Sequence, residues 1–161
     1  RDNTTLTSID LWGNDLGSLH FEALCDSRLS TDLDFSYQAP KKEHLALLPA
    51  ALRVRGALVE TLNLRGLDLT DEDFPSETCL LMENLRRLDV SNNPKLQKVP
   101  SIGPHNKLQE LRCEGCGFLM LVPQELRRER DGRDLIAYLR ALYSSGSVRV
   151  FWSKIMFVGF G

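Results

Sequence analysis

The sequence is short of the features that announce most specialised functions. None of its apolar runs approaches the ~20 residues that a bilayer-spanning helix needs, so no membrane span is expected. No basic-then-apolar leader opens the chain, which begins at Arg1. Charge of one sign is not in excess: 20 Lys and Arg face 22 Asp and Glu, for a net charge of -2. That balance gives no electrostatic reason to expect nucleic acid or an anionic membrane as a partner. The four cysteines, Cys25, Cys79, Cys113 and Cys116, are too sparse and irregular for a secreted disulfide scaffold. They point to a reducing, cytoplasmic setting. His20, His44 and His105 are isolated, with no Ser or Cys nucleophile in a recognisable frame. Cys113-x-x-Cys116 has no second C-x-x-C or paired His to complete a zinc site. Asp71 and Asp73 fall in a turn, where solvated surface is the simpler reading. No catalytic residue and no metal ligand is therefore expected.

What the chain does have is a repeated pattern. With 42% hydrophobic and 26% charged residues it has the composition of a folded, soluble domain. The apolar positions follow L-x-x-L-x-L-x-x-[NC]-x-L. Leu6, Ile9, Leu11, Asn14 and Leu16 match it first. Val59, Leu62, Leu64 and Leu69 match again, with Leu67 where Asn is expected. Leu85, Leu88, Val90 and Asn93 form another copy, whose last apolar position slips by one residue to Leu96. Leu108, Leu111, Cys113, Cys116 and Phe118 form the last, and a degenerate copy starts at Ser30 with Leu33, Phe35 and Gln38. Starts at 6, 30, 59, 85 and 108 give spacings of 24, 29, 26 and 23 residues. These lie within the ~20–29 residues of leucine-rich repeats, which the pattern resembles.

The physics of such a repeat sets the fold expectation. Each copy contributes a short strand to a parallel sheet, with alternate apolar residues turned inward and polar ones on the exposed concave face. The Asn or Cys then bonds backbone groups in a tight turn. Leu67 cannot do so, and a local irregularity is expected there. One repeat cannot bury its own apolar side, so neighbours stack into a continuous core. Leu62, Leu64, Leu88 and Leu111 should be core, as should Cys113 and Cys116 at inward positions. Leu19, Phe21, Ala23 and Leu24 suggest a convex-side helix, and Leu45, Leu47, Leu48, Ala51 and Leu52 another. Residues 36–43 read as an exposed loop. Val99-Pro100 and Val122-Pro123 favour irregular connections over helices.

After Pro123 the repeat stops. Leu135, Ile136, Leu139 and Leu142 form one helical stripe, which reads as a helix capping the open end of the stack. Arg127, Arg128 and Arg130 alternate with acids and read as a solvated face. Residues 144–147 are a linker. Ile155 to Val158 then form an apolar strand running into Gly159 and Gly161. A phosphate-binding loop, G-x-x-x-x-G-K-[ST], follows such a strand, and its Gly-Lys-Ser/Thr would lie past Gly161. The chain is thus expected to be an internal fragment.

Repeats, the segment GRDLIAYLRAL, then KIMFVGFG resemble, in that order, the Roco family. The resemblance implies a Roc GTPase domain beginning at residues 148–161, with Lys154 opening its first strand. Gly159, Phe160 and Gly161 would be the first positions of an incomplete nucleotide-binding loop. It also implies GTP or GDP and Mg²⁺ for the parent protein, and dimerisation through a domain outside this chain. None of these ligands is expected on the 161 residues themselves.

The expected architecture is α/β: a solenoid of about five repeats over 1–123, a capping helix and linker over 124–147, and an orphan strand of a truncated GTPase domain over 148–161. The expected function is protein or peptide binding on the concave face, without catalysis. The alternative is a stand-alone adaptor. The residues singled out for binding are Asp10, Trp12, Asp32, Asp34 and Tyr37 on the early repeats and Arg65, Arg86, Arg87 and Arg112 on the later ones. They predict a face graded from acidic to mixed-basic.

Overall fold

A computed structural model describes residues 8–10, 31–36, 45–46, 48–128 and 132–145. Five short strands form one parallel sheet in chain order: β1 (Ser8–Asp10), β2 (Asp32–Asp34), β3 (Thr61–Asn63), β4 (Arg87–Asp89) and β5 (Glu110–Arg112). All neighbours pair without slippage. Ile9, Leu33, Leu62, Leu88 and Leu111 therefore share one row across the sheet. Successive residues of a strand point to opposite faces, and Leu33, Leu62, Leu88 and Leu111 turn into the core. Leu62, Leu88 and Leu111 are at most 1% exposed. The residues flanking this row in β2 to β5 stay half-buried or exposed. The arrangement is compatible with a leucine-rich-repeat solenoid.

The strand pairing continues through the turns. Leu64 and Gly66 amides donate to the carbonyls of Asp89 and Ser91, and those of Val90 and Asn92 to Arg112 and Glu114. Gly66 (φ 70°), Asn92 (φ 58°) and Gly115 (φ 74°) occupy the same place in three consecutive turns, all left-handed. Glycine reaches that region without steric cost, and asparagine is among the side chains that tolerate it best.

The turn at Leu67 departs from its neighbours, as expected, but not by going without hydrogen bonds. Asn93, one repeat further on, serves it. The Asn93 Oδ1 accepts the Leu69 amide at 2.9 Å, and its Nδ2 donates to Leu64 O at 3.0 Å. The same Nδ2 also donates to Val90 O at 2.7 Å in its own turn. Leu67 is thereby free to be buried as an apolar residue, and Asp68 beside it takes a second left-handed conformation (φ 58°). In the next turn the Cys116 thiol donates to Val90 O.

The connecting segments are less uniform. Helix α1 (Leu48–Arg55) forms where the apolar spacing indicated, burying Leu48 and Leu52. The β3–β4 connection carries a 3-10 segment at Ser76–Leu81, and two more, Gly117–Leu121 and Gln124–Arg128, follow β5. Phe74, Cys79, Met82, Ile102 and Phe118 from these stretches complete one continuous core with the strand leucines. Asn106, which the template does not mark, is buried and ties two carbonyls of the preceding connection, Cys79 O and Met82 O.

Helix α2 (Arg133–Ser145) packs on β5 with Leu135, Ile136 and Leu139 buried and Leu142 half-buried. Gly132 (φ 65°) lies so close to the sheet that a Cβ there would stand 2.3 Å from Leu111 O. Arg140 reaches back to donate to Asn106 O and Leu108 O at 2.8 and 2.9 Å. Among the described residues no helix is long and apolar enough to cross a membrane. The helix expected near Leu19–Leu24, most of the loop at 36–43 and the whole segment 148–161 lie outside the described residues.

Candidate functional site

The outward rows of the sheet gather the polar side chains. Across β2 to β5 one row reads Asp32, Thr61, Arg87, Glu110; the other reads Asp34, Asn63, Asp89, Arg112. Between them lies an open hollow of about 440 Å³. Its wall comprises Asp32, Asp34, Thr61, Asn63, Arg87, Asp89, Glu110 and Arg112, with leucines of the middle row beneath.

The residue that ends β2, β3 and β4 has a structural task as well. Asp34 Oδ1 accepts the Ser36 amide at 2.8 Å, Asn63 Oδ1 the Arg65 amide at 3.2 Å, and Asp89 Oδ1 the Ser91 amide at 2.9 Å. Each is an Asx turn, in which a short side chain takes the place of a backbone acceptor. This holds the carboxylates of Asp34 and Asp89 in one orientation. Asn63 Nδ2 also donates to Asp34 Oδ2 at 3.0 Å, tying neighbouring strands. The signal was present in the sequence as Asp or Asn at one template position in successive repeats.

The basic side chains are engaged within the face. Arg87 Nε donates to Thr61 Oγ1 at 3.3 Å, Arg112 pairs with Glu110 at 2.7 Å, and Arg86 pairs with Glu60 at 3.5 Å. All three pairs are at least partly exposed, and such pairs contribute little to stability. They do set the local charge. Both residues of β2 that face outward are acidic, whereas β4 offers Arg87 with Asp89 and β5 offers Glu110 with Arg112. The later strands are therefore locally balanced.

Of the residues singled out from sequence, the hollow brings together Asp32, Asp34, Arg87 and Arg112. Asp10 is the register partner of Asp34 on β1. Arg65 and Arg86 flank β3 and β4 and are not part of the wall. Trp12, Tyr37, Gly159, Phe160 and Gly161 lie outside the described residues.

Other residues that carry chemistry elsewhere have structural roles here. Cys79, Cys113 and Cys116 are free thiols, buried, and burial pushes each up to about 12. A nucleophilic or metal-binding thiol needs the opposite shift. Asp71 Oδ1 accepts the amides of Gln97 and Lys98, and Asp73 Oδ2 accepts the Thr70 amide and hydroxyl. Among the described residues no group of three or more His, Cys, Asp or Glu is placed to hold a metal ion.

Residues 84–105 match the Leucine Rich Repeat family model. That stretch contains β4, its left-handed Asn92 and the shared Asn93. No curated protein and no solved structure matches the chain.

Proposed function

We propose that the chain is a protein-interaction module built of about five leucine-rich repeats, whose concave face is the outward face of the β1–β5 sheet. The observation that carries this reading is the division of labour along each strand. The middle residue is core, while its neighbours form two continuous polar rows around an open hollow. Polar rows over a rigid apolar floor provide many fixed hydrogen-bonding groups at small ordering cost. A photo-reactive amino acid placed at Thr61 or Arg87 should cross-link to a partner, whereas one at Glu72 or Glu83 on the connecting segments should not. Cross-links confined to Glu72 and Glu83 would place binding on the other side.

For the parent protein the reading follows the tail. The run IMFVGFG, an apolar strand leading into Gly159 and Gly161, supports a Roco-type GTPase with GTP or GDP and Mg²⁺ as ligands. Residues 1–161 alone should bind no guanine nucleotide, and a longer form carrying a complete Ras-like domain should bind it with Mg²⁺. Calorimetry on both forms checks this. Absence of binding by the longer form leaves the stand-alone adaptor as the function.

A further inference from the structure

A basic pocket lies apart from the hollow on the sheet. Arg133, Ile136 and Arg140 follow one another at helical spacing, which puts them on one face of α2. With Leu108 and Gln109, which lead into β5, they line an open pocket of about 330 Å³. None of these residues belongs to the wall of the hollow. Leu108 and Ile136 are buried and give the pocket an apolar floor, whereas Gln109 and Arg133 are exposed.

The fold uses the two guanidiniums differently. Arg140 is half-buried, and its Nη2 donates to Asn106 O and Leu108 O. These neutral carbonyls hold the group in place without balancing its charge. Its Nε is buried without an acceptor, and no described residue accepts from Nη1. Arg133 has no hydrogen-bonding or ionic partner among the described residues. It also opens α2, where the helix dipole disfavours a cation. Helix stability therefore gives no reason for a positive charge at this position. No carboxylate lines the pocket. Of the acids close in sequence, Glu110 pairs with Arg112, Asp134 has an interaction of its own, and Glu129 and Asp131 lie outside the described residues.

Two guanidiniums beside an apolar floor suit a group that joins a carboxylate to apolar surface. Guanidinium binds carboxylate through paired, directional hydrogen bonds. The anchoring of Arg140 before binding lowers the cost of ordering it. We infer that this pocket takes an acidic side chain of a protein partner, with Arg133 and Arg140 on the carboxylate and a neighbouring apolar side chain over Leu108 and Ile136. The pocket stands independently of the concave-face reading above and adds a second point of contact at the capped end of the stack.

The test is a nuclear magnetic resonance titration of the full chain with end-blocked short peptides in which leucine alternates with glutamate, glutamine or lysine. The glutamate peptide should shift the amide signals of Gln109, Arg133 and Ile136, and bind more weakly as salt rises. The glutamine and lysine peptides should leave these signals in place. Arg133→Gln should weaken binding by roughly tenfold, the effect of losing a hydrogen bond between charged groups. It should leave the melting temperature unchanged, since Arg133 holds no described part of the fold. Arg140→Gln should weaken binding and also lower the melting temperature, because it withdraws the donor from two carbonyls. Arg87→Gln, in the hollow, and Asp131→Asn should leave binding unchanged.

A glutamate peptide that fails to bind, or that binds Arg133→Gln equally well, overturns the inference. So does equal binding of the glutamine peptide. Loss of binding confined to Arg87→Gln would seat the peptide in the hollow and rejects the pocket while leaving the concave face as a docking surface. A marked gain in Asp131→Asn would show that a carboxylate of the chain already fills the pocket, and rejects it too. Inorganic phosphate that displaces the glutamate peptide at lower concentration than acetate does would make the ligand a phosphate group and rejects the acidic side chain.

Discussion

The two sides of these repeats obey different rules. On the strand side the units of β3, β4 and β5 present the same pleat, the same inward leucine and a left-handed residue at the same place in the turn. On the connecting side the β2–β3 segment uses the helix α1, the β3–β4 segment a 3-10 stretch, the β4–β5 segment neither, and the stretch after β5 two 3-10 segments before α2. The difference follows from where the backbone hydrogen bonds go. A strand residue bonds to its neighbour in the next repeat, so any change of phase would leave donors and acceptors unpaired across the whole sheet. A connecting segment makes many of its bonds locally and has mainly to deliver apolar volume. Phe74, Met82 and Ile102 do this with quite different shapes.

The comparison can be broken most directly at its centre. Leu88→Ala removes a residue that is 1% exposed in the middle row, and should cost about 2–5 kcal/mol in urea denaturation. A smaller loss would mean that the strand side repacks as freely as the connecting side. Asn93→Ala should come next. It leaves a buried amide and two buried carbonyls without their side-chain partner, at ~1–3 kcal/mol for each group that stays unsatisfied. Hydrogen exchange should rise in both the Asn93 turn and the Leu67 turn; a rise limited to residues 90–96 would show that the repeats are self-sufficient.

Gly132→Ala brings a Cβ within 2.3 Å of Leu111 O at a left-handed position. It should destabilise the chain by ~1–3 kcal/mol, the range for local backbone strain, and thermal melting will show whether α2 can shift to absorb it. The thiols sample both sides at once. Cys79 lies on the connecting side and Cys113 and Cys116 at the turns, and burial raises all three from 9.0 to about 12. The unfolded chain releases these protons first, so this contribution to stability is complete below pH 9 and is lost as pH rises towards 12. In a Cys25→Ser background at pH 8, a disulfide reagent should label none of them until denaturant is added; rapid labelling of Cys79 alone would mark the connecting side as the looser one. The smallest effect is expected at Thr61→Ala, under ~0.5 kcal/mol, because its side chain lies on the outward row.

Much of this was legible in the sequence, and for a physical reason. The template encodes which side chains a strand must bury, so Leu62, Leu64, Leu88 and Leu111 fall where the spacing indicated. Even the slipped position is right: Leu96 is buried and Lys95 exposed. What spacing within one repeat does not encode is help from the next. The Leu67 turn looked deprived because its partner, Asn93, lies 26 residues away in sequence. The same holds for the outward face of the sheet. Alternation identified the outward positions, but only the register shows that Arg87 meets Thr61. Arg112 shows the opposite case. Its partner Glu110 is only two residues away, on the same face of the same strand.

The cap at β5 has a consequence for assembly. In the preceding repeat the carbonyl of Glu83 accepts the amide of Lys107, a contact between successive units. At the equivalent carbonyl, Asn106 O, the donor is the guanidinium of Arg140. Helix α2 thus satisfies with a side chain an acceptor that another repeat would otherwise claim, while its leucines occupy the apolar surface that repeat would cover. An uncapped parallel sheet edge is a template for adding strands from other molecules. Here α2, from within the same chain, packs on β5 and takes up part of the surface such an addition would need.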